Sequence, residues 1–362
     1  MRRIRLRRIV LFTCLTFVLS WGFDLLLVAR TRSDAFSALG MTPWGMFVPA
    51  FVALVLQLFV FRDSAIYFRR YRERPRWILL GFLLLTPVYA MVIVLALTAP
   101  GMDRICRGLG PVLITLWTLL VFLVKGQSDA AAFGRAGLGL GDFRQGPWFI
   151  LGIIAFLIFQ AVLNLATGLG DLQDQTGRIY GLPIPSGLHT IVLVALFLPV
   201  TVIGIPLSGL AAVFGEEYGW RGFLQQELLP LGKVRGVLLV GFVWGLWHFP
   251  VILRGLHTYP ATSLGLALGL VFFVLWGFVQ SYAVLRTGSI WTAAFLHGVV
   301  NSVYAFLLTY AVRPHDKVFS FGLGVYGLIC LAVVVAVILQ DPLWRTPRPV
   351  PILAVPGQTL EE

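Results

Sequence analysis

The chain alternates between long apolar runs and short polar joints. Runs close to the twenty residues needed to cross a bilayer lie near 9–29, 43–61, 77–99, 109–124, 147–168, 188–212, 236–253, 262–285, 289–312 and 320–339. They are continuous rather than alternating, which predicts helices and speaks against strands. The fold class that follows is all-α, a polytopic transmembrane helical bundle of about 8–10 spans. The stretch from Leu188 to Leu229 is too long for one simple span. Pro199 and Pro206 are placed to kink or break it, and it reads as one long, bent helix ending before Pro230. Two separate spans would change the sidedness of everything that follows. A Gly-rich polar joint at 125–146, with Asp129 and Asp142, divides an N-terminal bundle (1–145) from a helical core (146–340), followed by a tail (341–362). The basic segment Met1–Arg8 and the apolar run behind it read as a retained signal anchor, because the run is long for a signal peptide and no A-x-A site follows.

Composition narrows the class. Of 362 residues, 58% are hydrophobic and 12% charged, about half the ~25% charge of a soluble domain. Soluble and disordered classes are thereby excluded as defaults. The net charge of +12 would point to nucleic acid in a soluble chain. Here the basic residues sit in the joints, without an RNA-binding aromatic motif, so they read as orientation signals and no nucleic-acid partner is expected. With the N-terminus cytoplasmic, nineteen Lys/Arg fall on the cytoplasmic side and eight on the other, and Arg221 is left inside the membrane. Both termini are therefore expected in the cytoplasm. The Arg-rich, Lys-poor composition suggests a bacterial plasma-membrane protein. Cys14 and Cys330 lie in apolar runs and Cys106 in a joint, with no spacing for a disulfide framework or zinc finger.

Charges inside a bilayer are costly and usually functional. The densest group is Gly215-Glu216-Glu217-Tyr218-Gly219-Trp220-Arg221. Glu217 and Arg221 are four apart and share a helix face, so an ion pair between them would offset part of the burial cost. Glu216 points elsewhere and has no obvious partner. Desolvation disfavours the charged form of such a carboxylate, a condition that suits a general base working near neutral pH. The second group is Trp244-Gly245-Leu246-Trp247-His248-Phe249-Pro250, and the third is His297-Gly298-Val299-Val300-Asn301, which sets His297 and Asn301 on one face. At about 1.5 Å per residue, His297, His248 and Glu216 lie roughly 12, 18 and 20 Å from the cytoplasmic ends of their helices. Three segments thus deliver an acid and two imidazoles to similar depth. Glu216 with His248 could activate a water, and His297 with Asn301 could donate to a developing oxyanion. Glu216, His248 and His297 could equally bind Zn²⁺ with an open position. The HExxH pattern is absent, so the metal stays open.

Other polar residues have blander readings. His189, His257 and His315 read as structural. Trp21, Trp44, Trp77, Trp148 and Trp291 read as interface anchors, and Gln57, Gln160, Asn164 and Gln280 as interhelical hydrogen bonders. Asp24 is assigned no role.

The ordered set EEYGWRG at 216–222, WGLWHFP at 244–250 and TGSIWTAAFLHGVVNS at 287–302 resembles the CPBP intramembrane protease family, which includes the type II CAAX prenyl endopeptidases and the bacterial Abi proteins. Its EExxxR motif is matched by Glu216, Glu217 and Arg221. Its FxxxH motif is matched by His248, with Trp244 in place of Phe. Its His-x-x-x-Asn motif is matched by His297 and Asn301. The resemblance covers about a hundred residues and implies an intramembrane endopeptidase. Glu216 would then activate water, His248 would be its partner, and His297 with Asn301 would surround the oxyanion. The family is named for metalloproteases, and metal-free, glutamate-dependent water activation is also argued for it. A membrane-associated peptide or protein, lipidated or not, is the implied substrate; the oligomeric state stays open. Two other readings stand beside it. One is a non-proteolytic protein of the same fold, a scaffold or a bacteriocin self-immunity protein. The other is a transporter, which would need matching broken helices in two halves, and only Pro199 and Pro206 suggest such breaks.

Overall fold

The computed structural model describes residues 4–30, 43–99, 101–173, 178–184, 190–254, 261–316 and 318–346. His189, His257 and the tail past 346 lie outside them. The N-terminal part comprises α1 (Leu6–Arg30), α2 (Pro43–Val55) with a π-helical turn at Leu56–Val60, α3 (Arg76–Thr98), α4 (Asp103–Gly126) and the short α5 (Ala130–Arg135). There follow α6 (Gly146–Ala166), α7 (Thr190–Pro199), α8 (Ile205–Ser208), α9 (Leu210–Glu217) and α10 (Gln225–Leu228). The last helices are α11 (Lys233–Trp247), α12 (Phe249–Leu253), α13 (Ser263–Thr287), α14 (Ile290–Tyr310) and α15 (Val325–Ile338). Among the described residues, 8 helical segments are long and apolar enough to cross a membrane. Trp44–Val60 and Val325–Ile338 are shorter apolar helices. The protein is an integral membrane protein, a polytopic helical bundle.

Three differences from the sequence reading have physical causes. Two short antiparallel ribbons exist, Gly170–Leu172 with Val312–Pro314 and Arg178–Ile179 with Leu182–Pro183. They lie in joints between helices, where a few ladder bonds satisfy backbone groups that no helix serves. Cys106 is buried within α4 rather than in a joint. The 188–229 stretch is broken at Gly209, between α8 and α9, while π-helical turns occupy Val200–Gly204 and Tyr218–Leu224. It does not stop before Pro230 but runs on through a 3-10 turn at Leu229–Leu231.

The path nevertheless makes one pass beside α14. Gly222 faces Ile290 at one end of α14, and Leu193 packs with Phe306 near the other. Twenty-nine residues of straight helix would cover about 43 Å, whereas Ile290 and Phe306 are only about 24 Å apart along their helix. The break at Gly209 takes up part of that excess.

Close packing of α2 on this path depends on glycine. A Cβ on Gly215 would stand 2.3 Å from the Met46 carbonyl oxygen, and one on Gly219 would stand 2.4 Å from Pro49 Cβ and 2.6 Å from its carbonyl carbon. Small residues let membrane helices approach backbone to backbone. Gly219→Ala is expected to lower stability by about 1–3 kcal/mol, the usual cost of overpacking, read as a lower melting temperature in detergent. An unchanged melting temperature would mean that α2 moves aside freely.

The turn between α13 and α14 is equally specified. Gly288 ends α13 at φ 70°, and Ser289 Oγ caps α14 by accepting from Trp291 N. Asp142 N donates to Thr287 O at 2.7 Å, tying the 125–146 joint to this turn. At the other end of the chain's core path, buried Glu227 accepts from Arg5 at 2.7 and 2.8 Å and from Arg8 at 3.4 Å, so α1 is fastened to α10.

Candidate active site

Tertiary packing brings three sequence groups to one cavity of about 310 Å³. Its wall includes Glu216 from α9, Trp244, Trp247 and His248 from the α11–α12 corner, and His297 and Asn301 from α14. Four of the six predicted site residues therefore face the same space. Glu217 and Arg221 do not line it; they lie fully buried behind it.

The buried pair is the anchor of the arrangement. Arg221 Nη1 donates to Glu217 Oε1 at 3.1 Å, as the four-residue spacing predicts. The same Oε1 is 2.8 Å from His297 Nδ1 and accepts from Gln280 Nε2 at 3.4 Å. Glu217 thus ties its own helix to α13 and α14. A carboxylate oxygen only accepts, so Nδ1 of His297 carries the proton and Nε2 is the nitrogen left for other work. Gln280 is an interhelical hydrogen bonder, as its type suggests. Gln160 is another, bonding Gly327 O and Gly322 N. Asn164 is buried, and its side chain finds no hydrogen-bond partner among the described residues.

Glu216 has a partner that the sequence did not reveal. Trp244 Nε1 donates to Glu216 Oε2 at 2.6 Å. The Trp244 ring also lies under the Arg221 guanidinium, 4.2 Å from its centroid, and the Trp244 carbonyl receives His248 Nδ1 at 3.0 Å. A carbonyl cannot donate, so His248 too carries its proton on Nδ1, leaving Nε2 as the acceptor of the neutral ring. Phe273 stacks on His248 with centroids 3.7 Å apart. The signal for Trp244 was its position four residues before His248, where indole replaces the family's phenyl. That exchange adds an N–H donor as well as bulk.

The N-terminal helices complete the wall. Ser20, Trp21, Phe23 and Asp24 from α1 and Trp44, Gly45 and Met46 from α2 all line the cavity. Trp21 Nε1 donates to Trp247 O at 3.1 Å and Trp247 Nε1 to Ser20 Oγ at 2.9 Å, stitching α1 to α11. Trp21 and Trp44 are thus cavity residues rather than interface anchors, because tertiary packing turns them inward. Trp291 is held by Leu138 O at 2.7 Å, whereas Trp77 and Trp148 stay exposed. Asp24 pairs with Arg254 at 3.6 Å, and Arg254 lines the cavity too. His315 is an exposed partner of Asp171, with Nε2 to Oδ2 2.9 Å.

Among the described residues, no three His, Cys, Asp or Glu side chains stand close enough to hold a metal ion.

The type II CAAX prenyl endopeptidase Rce1-like family model matches residues 198–303, a segment that contains all six predicted site residues. CAAX prenyl protease 2 of Methanococcus maripaludis is 26% identical to the chain over 249 residues, 58% of this chain and 88% of that protein. No solved structure matches the chain. The CPBP resemblance read from the three motifs is borne out. The Rce1-like segment supplies α9, α11 and α14 with their polar residues, while the α1 and α2 walls of the cavity lie before it.

Proposed function

We propose that the chain is an intramembrane endopeptidase of the CAAX-processing type. Its substrate is a membrane-associated peptide or protein, and the nucleophile is a water activated by Glu216 and His248. The observation that carries this reading is the convergence of Glu216, His248, His297 and Asn301 on one aromatic-walled cavity within a bundle of membrane helices. The peptidase kinship of residues 198–303 supports it.

The groups suit the steps of amide hydrolysis. Water held between the Glu216 carboxylate and His248 Nε2 gives a proton to Glu216 as its oxygen adds to the scissile carbonyl carbon. Negative charge then grows on the carbonyl oxygen, where His297 Nε2–H and the Asn301 amide donate. As the C–N bond breaks, the proton returns from Glu216 to the leaving amine. For His297 to donate from Nε2 while Nδ1–H serves Glu217, it is an imidazolium. Two carboxylates, one guanidinium and one imidazolium then leave the cluster neutral, which a low-dielectric site favours. Trp244 holds Glu216 Oε2, so Oε1 is the oxygen that takes the water proton.

The test is cleavage of lipidated and unlipidated peptides by the purified chain in detergent. Product formation lost in His248→Ala, with folding retained, is the expected result; equal cleavage by that variant would overturn the scheme. Trp244→Phe is expected to keep the aromatic wall and lose the donor. A hydrogen bond to a charged group contributes about 1.5–3 kcal/mol, so kcat should fall about 10- to 100-fold with KM little changed. A change confined to KM would make Trp244 a wall residue only.

A further inference from the structure

A basic face far from the cavity has no part in the hydrolytic scheme. The joint between the π-helical turn after α2 and the start of α3 carries Arg62, Arg69, Arg70, Arg72 and Arg74, and Arg76 opens α3. The first five are exposed. The joint is folded: Ile66 and Tyr71 are buried, Phe68 N donates to Leu58 O at 2.9 Å, and Tyr71 Oη donates to Ala132 O at 3.3 Å. Its two acids already face cations from other segments. Asp63 pairs with Arg5 and Arg8 at the start of α1, and Glu73 accepts from Arg135 of α5 at 2.7 Å. Arg74 donates to Gln127 O, just past α4, at 2.6 Å. The starts of α1 and α3 and the ends of α2 and α4 therefore meet at one end of the bundle. Cations from three segments distant in sequence gather there.

An orientation signal needs only the presence of charge, whereas these charges are arranged. Arg70 lies over Tyr67, Arg72 over Phe68 and Arg76 over Trp77, at 5.6, 5.8 and 4.8 Å from the ring centroids. Such stacking holds a guanidinium in place. Phe59, Phe68 and Trp77 are exposed beside them, and aromatic side chains at the ends of spans sit at headgroup depth. Arg76 begins a helix long enough to cross the membrane, so the arginines around it stand level with lipid phosphates. We infer that this face binds the phosphate of anionic phospholipid headgroups, with the 61–76 joint as its floor. A planar guanidinium engages phosphate oxygens two at a time, and clustered basic residues next to a span attract anionic lipid. An acidic protein segment has charge of the same sign, but lipid phosphate is the anion already concentrated at that depth. The inference does not rest on the peptidase reading, because no residue of the face lines the catalytic cavity.

The experiment is a lipid titration. Full-length protein in neutral-detergent micelles is titrated with phosphatidylglycerol carrying a fluorescent acyl chain, and separately with phosphatidylcholine of the same chains. Phosphatidylglycerol is expected to bind at least about thirtyfold tighter at low salt. Most of that preference should vanish at about 0.5 M salt, which screens exposed charges. Arg69→Gln with Arg72→Gln should cut the preference about thirtyfold, at roughly fivefold per exposed arginine, and leave phosphatidylcholine binding unchanged. Arg104→Gln, at the opposite end of α4, should leave the preference intact. Equal binding of the two lipids would overturn the inference. So would a preference that ignores salt, survives the double substitution, or falls equally in Arg104→Gln. If the double variant fails to fold, Arg69→Gln alone, with its expected fivefold loss, decides the same question. Displacement of the lipid by an equal concentration of inorganic phosphate would assign the face to a free anion and overturn the inference. Displacement by an equal concentration of polyglutamate peptide would assign it to an acidic protein, with the same consequence.

Discussion

Glu216→Gln should reduce kcat/KM by about 10²–10⁴-fold, the range general base catalysis supplies, without unfolding the protein. The amide has the shape of the carboxylate, and its oxygen can still accept the Trp244 N–H. What it lacks is the capacity to take a proton from water. Stability should hold or rise, since a buried anion is replaced by a neutral group. The two readouts therefore separate: peptide cleavage collapses while the melting temperature in detergent does not. Undiminished cleavage would remove Glu216 from the chemistry.

The second large effect is on stability. Glu217→Ala should cost about 3–5 kcal/mol, because removing one partner of a buried pair leaves Arg221 charged and without its counterion. Three groups lose their acceptor at once: Arg221, Gln280 and His297. The expected result is a markedly lower melting temperature or loss of folded protein. A companion variant distinguishes structure from chemistry. Replacing both members with apolar residues, Glu217→Leu with Arg221→Met, removes the uncompensated charge and is expected to recover much of the stability. Activity should not recover with it, because His297 no longer has the carboxylate that orients it and holds its positive charge. Recovery of both would make Glu217 and Arg221 a purely structural pair.

The legible part of this protein was what burial cost makes conspicuous. Apolar runs marked the helices, and the few charges inside them marked Glu216, Glu217, Arg221, His248 and His297. Spacing alone foresaw the Glu217–Arg221 pair and the common face of His297 and Asn301. Relations between segments distant in sequence were not legible. A tryptophan near a span end can anchor at the interface or turn inward, and composition does not choose; Trp21 and Trp44 turn inward because α1 and α2 pack against α9 and α11. Trp244 showed in the sequence only as a Trp in place of Phe, since an indole N–H becomes meaningful only once a carboxylate is known to stand 2.6 Å away. The helix break was misplaced for a similar reason. Prolines advertise kinks locally, yet Pro199 and Pro206 lie in helical turns on either side of the π-helical turn Val200–Gly204, and the break falls at Gly209.

The buried polar network also bears on how the chain enters the membrane during synthesis. The segment from Leu210 to Leu228 carries Glu216, Glu217, Arg221 and Glu227, and a charged residue at the centre of an inserting helix costs about 2.5–3.5 kcal/mol. It is not among the eight segments apolar enough to cross alone. Arg5 and Arg8, the partners of Glu227, precede it, whereas Trp244, Gln280 and His297, which bond Glu216 and Glu217, are all synthesised after it. The hydrogen bonds around Glu216 and Glu217 are therefore complete only once α11, α13 and α14 have been made.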